Sequence, residues 1–493
     1  MVGGKVGDNL AAAVRAAGQL QPTRPALICG SEQLTWRQLD ARVDEVAGGL
    51  AGAGLRPGDR VALHLHAPEF VIAYYGVLRA GLVAVPLDPA AAGHQLHQVL
   101  ADCEAAALLT DEPASPDTRA DLRYAGGVGG LPAASGHVGE VGGGEDIAVL
   151  LYPSGSPGPR PAVMLSHRAL LASLDQVARL HPPVVRPQEV VLLAAPLFHG
   201  FGAGAGLGPV IRSGATAVVP GRADPRHGLD LVAQHAVTVV VGTPEIYVAW
   251  SQLPDLAALA GLRLAVSGSA PLPPAVAVTL AQRAGLTVHS GYGLAQAGAV
   301  LTSTLAGASL KPDDGSPKPG AVGRPLPGVE LALVDVDGDE VDEDEIGEVV
   351  VRGASLFSGY WPDGSGGPDL DGWFATGDLV HRDADGDLFL IGRRRELIAV
   401  SGFSVYPDEV EAVLRAHPDI VEAAVVPSGP SGSTGVGIKA IVVVRTGAEL
   451  GADMVIAHCR AALARFKCPT EVAFMAELPH TATGRVARDR LST

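Results

Sequence analysis

A segment rich in glycine, serine and proline is the first place in this chain where residue types and their order suggest chemistry. It spans residues 152–163, with the sequence YPSGSPGPRPAV, and follows the apolar run 147–151, which predicts a buried strand ending at a turn. Small residues let backbone N–H groups approach an anion closely, and Ser166 can cap a helix just beyond. The segment therefore predicts a phosphate-binding loop, whose contacting residues would be Ser154, Gly155, Ser156, Gly158 and Arg160.

Further short motifs follow in a fixed order, several of them directly after predicted strands. They are PLFH at 196–199, VSGSAPL at 266–272, SGYGL at 290–294, GWFATGD at 372–378, GR at 392–393, GFSVYPDEVE at 402–411 and LPHTATGR at 478–485. Taken alone, each motif is as well explained by a tight turn or a satisfied side chain at a strand end. The order of so many motifs is far more specific than any one of them.

This ordered series resembles the adenylate-forming superfamily, which includes acyl-CoA synthetases, luciferases and peptide-synthetase adenylation domains. The resemblance extends from about residue 25 to the C-terminus. It implies an α/β fold whose large N-terminal domain, 1–392, has two doubly wound sheets and a small antiparallel β-barrel-like segment at about 320–390. A small mobile α+β C-terminal domain, 393–493, would follow.

The pattern of apolar residues favours the same fold class. Helical patterns alternate with short apolar strands over residues 11–110, a βαβ rhythm that implies parallel sheets with helices on both faces. Residues 111–145 are rich in Gly, Ser, Pro and Asp and predict a loop or poorly ordered connector. From about 320 to 390 the strands shorten and turns crowd in, which predicts an antiparallel segment.

Composition and charge exclude several classes of protein. The chain has 493 residues, of which 47% are hydrophobic and 18% charged, so we expect a globular protein of two or more domains. Its formal net charge of −17 argues against nucleic acid or an anionic membrane surface as a partner. No apolar run reaches the ~18 residues that a membrane helix needs, the N-terminus lacks a signal-peptide pattern, and the cysteines show neither metal nor disulfide spacing. These features predict a cytoplasmic protein without membrane insertion.

The resemblance implies a nucleotide site whose nucleoside half is intact. Asp378 would accept hydrogen bonds from the two ribose hydroxyls of ATP or AMP, a task suited to a two-oxygen acceptor. Arg393 would supply a second ribose or phosphate contact. The adenine would lie between a loop and an aromatic ring, and the residues concerned are Ser269, Ala270, Pro271, Tyr292 and Gly293.

The phosphate half of that site departs from the family pattern. Where relatives carry a Thr for the α-phosphate and a Glu for Mg²⁺, this chain has Ala295 and Gln296, and a neutral amide oxygen is a poorer ligand for Mg²⁺ than a carboxylate. The loop lysine is replaced by Pro161, with Arg160 one position earlier. Arg485 stands where relatives have a catalytic lysine, which keeps the charge but changes its geometry. Catalytic roles would then fall to Arg485 and to Gln296, which is also the candidate metal ligand.

Features of the second half-reaction, in which a thiol displaces AMP, are better retained. Arg395 stands at the hinge position of the mobile domain, and Gly402 lies where relatives need a residue without a side chain beside the tunnel for CoA or phosphopantetheine. His199 would take part in catalysis by gating the acyl pocket. The residues expected to line that pocket are His199, Gly242, Thr243, Ser267, Gly268, Ser290 and Gly291.

Two features bear on the acid that this pocket would take. Residues 198–201 lack the aspartate that amino-acid-activating relatives use to pair an α-ammonium group, which disfavours an amino acid. Residues 202–206 carry almost no side chains, which would leave room for a bulky or elongated acyl group.

Two hypotheses of function follow. The first is an ATP-dependent acyl- or aryl-acid:CoA (or carrier-thiol) ligase that acts through an acyl-adenylate, with an atypical phosphate and Mg²⁺ site. The second is a homologue that has lost adenylation and binds a nucleotide or acyl-thioester as a non-catalytic module, or performs ATP-independent thioester chemistry. Activation of an unusual acid such as nitrite is a third option within the family. The expected partners are a carboxylic acid and CoA or an acyl carrier protein, with no nucleic acid, and a homodimer is left open.

Overall fold

The computed structural model describes residues 8–91, 93–112, 122–133, 137–152, 161–221, 224–306, 317–342, 345–400, 403–428, 437–481 and 484–491. These residues form two compact units. The larger unit contains those up to 152, 161–330 and 352–374, and the smaller unit contains 331–351 and 375–491. The smaller unit thus includes strands that the sequence analysis assigned to the N-terminal domain, and the boundary at about 393 stays a prediction.

The α-helices of the described residues are α1 (Ala12–Leu20), α2 (Trp36–Gly52), α3 (Glu69–Arg79), α4 (Gly93–Asp102), α5 (His167–Ala178), α6 (Gly208–Ser213), α7 (Pro225–Gln234), α8 (Pro244–Gln252), α9 (Pro274–Ala284), α10 (Pro407–Arg415) and α11 (Ala452–Ala462). A π-helix, Phe201–Leu207, leads directly into α6. Among these helices, none is both long enough and apolar enough to cross a membrane.

The strands of the larger unit are β1 (Pro25–Cys29), β2 (Glu32–Thr35), β3 (Arg60–His64), β4 (Val83–Pro86), β5 (Ala107–Thr110), β6 (Tyr124–Gly126), β7 (Ile147–Leu151), β8 (Val163–Ser166), β9 (Val190–Ala194), β10 (Thr216–Val219), β11 (Val239–Gly242), β12 (Leu264–Ser267), β13 (Val288–Tyr292), β14 (Thr302–Ser303) and β15 (Ala321–Pro325). Strands lying mainly or wholly in the smaller unit are β16 (Val329–Val334), β17 (Ile346–Gly353), β18 (Trp373–Arg382), β19 (Leu388–Arg393), β20 (Ile398–Val400), β21 (Phe403–Val405), β22 (Ile420–Ser428), β23 (Gly437–Val444) and β24 (Glu471–Phe474).

Two largely parallel sheets organise the larger unit. One has the order β6-β5-β3-β4-β7-β8, in which β6 to β7 run parallel and β8 pairs with β7 in the antiparallel sense. The other has the order β2-β1-β10-β9-β11-β12-β13-β14-β15 and is parallel from β1 to β13. In the first sheet, successive strands are added on both sides of β3, with helices between them. This confirms the expected doubly wound α/β architecture.

The smaller unit combines antiparallel strands with two helices. Strands β16 to β19 are neighbours in chain order, and β18 and β19 form an antiparallel hairpin. β22 pairs antiparallel with β23, which pairs parallel with β24. The core of the unit is apolar, with Val410 and Leu414 of α10 and Val455 of α11 packed in one cluster with residues of β22 and β23. The expected α+β pattern is therefore observed.

Capping side chains determine where two of the helices, α5 and α2, begin. The Ser166 hydroxyl accepts the N–H of Ala169 at 3.2 Å at the start of α5, as the sequence predicts. At the start of α2, the Thr35 hydroxyl accepts the N–H of Gln38 at 3.3 Å, and the Gln38 side chain accepts the N–H of Thr35 at 2.9 Å. The second pair is a reciprocal capping box, and together these contacts fix where both helices begin.

One strand was missed within residues 111–145. β6 is three residues long and pairs in parallel with β5 at the edge of the first sheet. Its residues are half-buried and show no alternation of apolar and polar side chains. The expectation of an unstructured connector was wrong for this stretch, because the pairing depends on β5 and on no local pattern.

His167 is a buried histidine that holds the start of the described chain. It begins α5, is 1% exposed, and its Nδ1 accepts the N–H of Leu10 at 3.1 Å. Burial lowers the pKa of His167 to about 4, with the nearby Asp146 acting in the opposite direction. The folded state therefore requires the neutral ring, since a protonated Nδ1 cannot accept a hydrogen bond.

We predict that the unfolding free energy of the larger unit falls as the pH falls from about 6.5 to about 4. Over that range the unfolded chain takes up a proton at His167 that the folded chain does not, and the full contribution is about 3 kcal/mol. His167→Gln, which keeps an acceptor oxygen, should reduce this pH dependence. Urea unfolding at pH 7 and pH 5 can follow the fluorescence of Trp36, Trp250, Trp361 and Trp373, which all lie in the larger unit. An equal pH dependence in both proteins would contradict the assignment.

A network around Arg488 joins three segments of the smaller unit. Its guanidinium contacts Glu411 at 2.8 and 2.9 Å, Asp408 at 2.7 Å and Glu396 at 2.9 Å. Glu411 is 3% exposed and also accepts the N–H of Val425 at 2.8 Å. Arg488 thereby ties the C-terminal segment to α10 and to the turn before β20, and it neutralises a buried carboxylate.

We predict that Arg488→Ala destabilises the smaller unit by about 3–5 kcal/mol, because it removes the guanidinium that hydrogen-bonds both oxygens of the buried Glu411 carboxylate. Arg415→Ala is a matched control. Its guanidinium lies 3.5 Å from Glu411 but the side chain is 47% exposed, so the loss should stay below about 1 kcal/mol. Native-state hydrogen exchange of the β22 and β23 amides would measure the loss of stability in both variants. Equal protection in the two variants would count against a buried network.

Candidate functional site

Three predicted acyl-pocket residues lie in one row at the carboxyl ends of parallel strands in the larger unit. Gly242 at the end of β11 is opposite Ser267 at the end of β12, and Ser267 is opposite Ser290 in β13. Ligands of parallel α/β sheets bind at this edge, where the strand ends and following loops face one crevice. The structure thus brings these three residues together. The residues that directly follow them in the chain are Thr243, Gly268 and Gly291.

Glycines beside this row are required by close contacts. A Cβ atom at Gly268 would lie 2.3 Å from the ring of Phe201, and Cβ atoms at Gly202 and Gly204 would lie 2.0 and 2.4 Å from backbone carbonyl oxygens. Gly202 and Gly204 thus let neighbouring backbone approach closely, and the expectation that residues 202–206 leave room for the acyl group stays a prediction. Phe201 was missed by the sequence analysis, and its ring covers Gly268 at this edge.

His199 lies at the start of the π-helix. Its Nδ1 accepts the N–H of Phe201 at 3.2 Å, and its carbonyl accepts the N–H of Ala203 at 3.0 Å. Since Nδ1 is an acceptor, the neutral ring carries its proton on Nε2. His199 is half-buried. It is thus anchored by its backbone and by one ring nitrogen.

The predicted adenine contacts follow neighbouring strands. Ser269, just after β12, has a φ of +74°, which is uncommon for a residue with a side chain and is often found at functional sites. Ala270 and Pro271 continue this loop towards α9. Tyr292 ends β13 and is 6% exposed. A Cβ at Gly293 would lie 1.8 Å from a backbone carbonyl oxygen, so this turn requires glycine.

The buried polar groups here fit a polar ligand. Within the described residues, the Ser267 and Ser269 hydroxyls have no hydrogen-bond partner. An unsatisfied buried hydroxyl costs about 1–3 kcal/mol, which a ligand that supplies a donor or acceptor would recover. Burial lowers the pKa of the adjacent His289 to about 4, and its Nδ1 lies 3.2 Å from the Thr304 hydroxyl. The His289 ring is therefore neutral near neutral pH.

Gln296 lies in a short 3-10 helix, Ala295–Ala297, just after the Tyr-Gly pair. Its side-chain amide donates a hydrogen bond to the hydroxyl of Tyr360 at 2.9 Å, and its backbone carbonyl accepts the N–H of Phe357 at 2.8 Å. Across the described stretches, no group of three or more His, Cys, Asp or Glu side chains is placed to hold a metal ion. The Gln296 oxygen fits a cation that keeps phosphate and water oxygens as its other ligands, as Mg²⁺ often does.

The segment 357–361 also lines the strand that follows the predicted phosphate loop. Trp361 donates to the carbonyl of Ala162 at 2.8 Å, and Met164 donates to the carbonyl of Gly359 at 3.1 Å. Pro161 is the first described residue of this strand region. The predicted loop contacts Ser154, Gly155, Ser156, Gly158 and Arg160 lie outside the described residues.

In the smaller unit, the predicted ribose-binding pair is adjacent. Asp378 of β18 is opposite Arg393 of β19, and the Arg393 Nε contacts the Asp378 Oδ1 at 2.9 Å. Asp378 is 5% exposed. Glu348, which the sequence analysis missed, accepts the N–H of Gly377 at 3.1 Å and pairs with Arg394 at 2.7 Å. Glu348 and Arg393 thereby hold the Thr-Gly-Asp segment of β18. Glu348 lies 29 residues before Gly377, too far in sequence for a local motif to reveal the contact.

Arg485 lies on a turn near the C-terminus. The N–H of Arg485 is donated to the Thr481 hydroxyl at 3.2 Å, and its carbonyl accepts the N–H of Thr481 at 2.8 Å. Gly484 has a φ of +73°, which this turn requires. Arg395 lies in the 3-10 helix Arg394–Glu396 before β20. Gly402 lies outside the described residues.

A small apolar cavity lies elsewhere in the larger unit. Phe198, Gly200 and Gly204 line it, together with leucines of β7, β8 and α5. The row of Gly242, Ser267 and Ser290 does not contribute to its wall. The cavity is therefore distinct from the predicted acyl pocket, although both border the segment that follows His199.

Comparison with known proteins covers nearly the whole chain. The family profile for AMP-binding enzymes matches residues 14–361, and that for the AMP-binding enzyme C-terminal domain matches 409–485. A long-chain-fatty-acid–CoA ligase of Salmonella typhimurium is 31% identical over 534 aligned positions, spanning 97% of this chain and 92% of the relative. A feruloyl-CoA synthase of an Amycolatopsis species is 34% identical over 484 positions, spanning 95% and 96%. The crystal structure of ATP-bound MatB from Rhodopseudomonas palustris has a TM-score of 0.88 at 30% identity and 98% coverage of both chains.

Motif order, doubly wound sheets and whole-length similarity lead to one assignment. In the described residues PLFH follows β9, VSGSAPL begins at the end of β12 and SGYGL at the end of β13, and these motifs all lie within the first family profile. This protein belongs to the AMP-binding enzyme family, in the acyl-CoA synthetase branch of the adenylate-forming superfamily.

Proposed function

We propose that the protein is an ATP-dependent acyl- or aryl-acid:CoA ligase that forms an acyl-adenylate, with an atypical phosphate site. A carboxylate oxygen of the acid attacks the α-phosphorus of ATP and pyrophosphate leaves. The thiol of CoA, or of a carrier-bound phosphopantetheine, then attacks the acyl carbonyl and AMP leaves. The relatives named as a long-chain-fatty-acid–CoA ligase and a feruloyl-CoA synthase support an acyl or aryl acid as substrate.

The observation that carries the proposal is the contact between Asp378 and Arg393. A buried carboxylate with an arginine fixed at one oxygen, 2.9 Å away, is oriented before any ligand arrives. Such an acceptor suits the vicinal hydroxyls of a ribose, and charged hydrogen bonds are the strong ones. Glu348, which accepts the N–H of Gly377, holds the backbone directly before Asp378.

The remaining roles follow from the same assignment. Arg485 would stabilise charge on the α-phosphate during adenylation, and His199 would gate the acyl pocket formed around Ser267 and Ser290. Mg²⁺ bound with ATP would neutralise charge on the β- and γ-phosphates, and Gln296 would supply one oxygen to it. We further propose a mobile C-terminal domain that begins at about residue 393, with Arg395 as its hinge and Gly402 beside the thiol tunnel.

The second candidate is a homologue that binds nucleotide or acyl-thioester without adenylation. The specific observation in its favour is the chemistry at residues 295–296. Ala295 offers no side-chain hydrogen bond, and Gln296 offers a neutral amide that already contacts Tyr360. Removal of one transition-state donor costs ~10²–10³ in rate, so several such changes at one site could abolish adenylation.

Pyrophosphate release tests the proposal. With ATP, Mg²⁺, CoA and a broad pool of carboxylic acids, the wild type should release pyrophosphate and Asp378→Ala should not. The variant should also bind AMP more weakly by about 1.5–3 kcal/mol, the loss of a charged hydrogen-bond acceptor. Calorimetric titration with AMP measures this.

A control for that variant exists in the same hairpin. Asp385 is exposed in the turn between β18 and β19, and Asp385→Ala should leave AMP affinity unchanged. Equal AMP affinity in wild type and Asp378→Ala would rule out the ribose assignment. Absence of pyrophosphate release by a wild-type protein that binds AMP would favour the second candidate.

Arg485 should separate the two half-reactions. If it replaces the family lysine, Arg485→Ala suppresses adenylation by roughly 10²–10³, the scale for one transition-state donor, and spares thioester formation from supplied acyl-AMP. Arg485→Lys, which restores a compact ammonium, should recover adenylation. Pyrophosphate exchange and thioester formation, measured separately, check this. A parallel loss of both half-reactions in Arg485→Ala would oppose the assigned role.

A further inference from the structure

His289 is a polar side chain at the end of an otherwise apolar row that crosses the second sheet. In adjacent strands, Leu193 is opposite Val241, and Val241 is opposite Val266. Val266 is in turn opposite His289 of β13. Residues opposite one another in parallel strands point to the same face of the sheet, so these four side chains share one face.

The π-helix Phe201–Leu207 covers part of that face. A Cβ atom at Gly206 would lie 3.1 Å from the Leu193 side chain and 3.7 Å from that of Val241. Leu193 and Val241 are 2% and 1% exposed, whereas Val266 and His289 are half-buried. The cover is thus complete over β9 and β11 and incomplete over β12 and β13.

The predicted acyl pocket borders the same face. Gly268, two residues beyond Val266, meets the ring of Phe201, the first residue of the π-helix. His199, the predicted gate, lies two residues before Phe201. An acyl group gated by His199 would therefore lie beside the π-helix, against the incompletely covered end of the row.

The His289 ring is held at one nitrogen only. Its Nδ1 lies 3.2 Å from the Thr304 hydroxyl, which also accepts the N–H of Ser290 at 3.1 Å. Within the described residues, the Nε2 of His289 makes no hydrogen bond. Burial lowers the pKa of His289 to about 4, so the ring that would meet a ligand near neutral pH is uncharged.

The chemistry of a neutral imidazole selects the partner of Nε2. The Thr304 hydroxyl can donate to Nδ1 or accept from it, so Nε2 is a donor in one tautomer and an acceptor in the other. A hydroxyl group suits both tautomers because it donates and accepts. A carboxylate only accepts and an ammonium group only donates, and either would bring an uncompensated charge against an apolar row.

We propose that His289 is a specificity-determining residue whose Nε2 hydrogen-bonds an uncharged hydroxyl group on the acyl or aryl part of the acid. The inference rests on the proposed function, since it assigns a substrate class to the same pocket. That class is hydroxy-substituted carboxylic acids, with the hydroxyl on an alkyl chain or on an aromatic ring.

The test compares acids that differ by one hydroxyl. Straight-chain acids are paired with their ω-hydroxy analogues, and phenylpropanoic acid with its para-hydroxy analogue, so that an alcohol and a phenol are distinguished. In the wild type, kcat/KM for pyrophosphate release should favour the hydroxy acid in at least one pair. His289→Leu should reduce that preference about three- to tenfold, the scale of one hydrogen bond. His289→Asn, which keeps a donor and an acceptor, should retain part of it.

The first sheet provides a matched control and holds none of the predicted pocket residues. His64 at the end of β3 is 6% exposed, and its Nδ1 lies 3.2 Å from the hydroxyl of Thr110 at the end of β5. His64→Leu removes the same kind of contact and should leave every preference unchanged. A purely structural role of His289 would lower kcat/KM equally for both acids of a pair. An unchanged preference in His289→Leu therefore overturns the inference, as does a wild type that favours no hydroxy acid.

The proposed function is judged by a separate readout. Pyrophosphate release by the wild type, together with equal preferences in wild type and His289→Leu, would retain the ligase and reject the role of His289. If the wild type releases no pyrophosphate, the ligase is rejected, and calorimetric titration of the same acid pairs in the presence of AMP decides the role of His289. A hydroxyl-dependent affinity that is lost in His289→Leu would support that role, and equal affinities within every pair would reject it.

Discussion

The register of three parallel strands is the constraint on which the candidate acyl site depends. Gly242, Ser267 and Ser290 meet at one sheet edge because β11, β12 and β13 are aligned residue for residue. A shift of one residue would turn each side chain to the opposite face of the sheet. The same edge requires glycine at 268 and 293, where a Cβ atom would lie 2.3 Å from the ring of Phe201 and 1.8 Å from a backbone carbonyl oxygen. Strand pairing therefore determines where these residues lie relative to one another.

Much of the fold was predictable from the sequence, for an identifiable reason. Buried parallel strands such as 190–194 and 239–242 are short apolar runs between turn residues, and that signal is local. The Ser166 cap and the start of α10 at Pro407 are local as well. β6 carries no such signal, because this short edge strand depends on its pairing with β5.

The sequence also indicated which residues belong to the site, but not how they are held. The order of motifs selected Asp378 and Arg393, and the structure places them side by side. The contacts made by Glu348 and Tyr360 could not be predicted, because their partners lie 29 and 64 residues away and no periodic pattern links them. Supporting residues of this kind depend on tertiary packing, which local residue types do not specify.

The exchange of a carboxylate for an amide at Gln296 changes two electrostatic quantities with opposite consequences. A carboxylate binds Mg²⁺ more strongly, but it also repels the phosphates of a nucleotide that arrives without its cation. At about 4 Å and an effective dielectric constant of about 20, one such repulsion is about 4 kcal/mol. A neutral amide binds Mg²⁺ more weakly but does not repel the phosphates. Affinity for the nucleotide can therefore persist while stabilisation of the transition state declines. Nucleotide binding is thus compatible with both candidate functions, whereas pyrophosphate release is expected of the ligase alone.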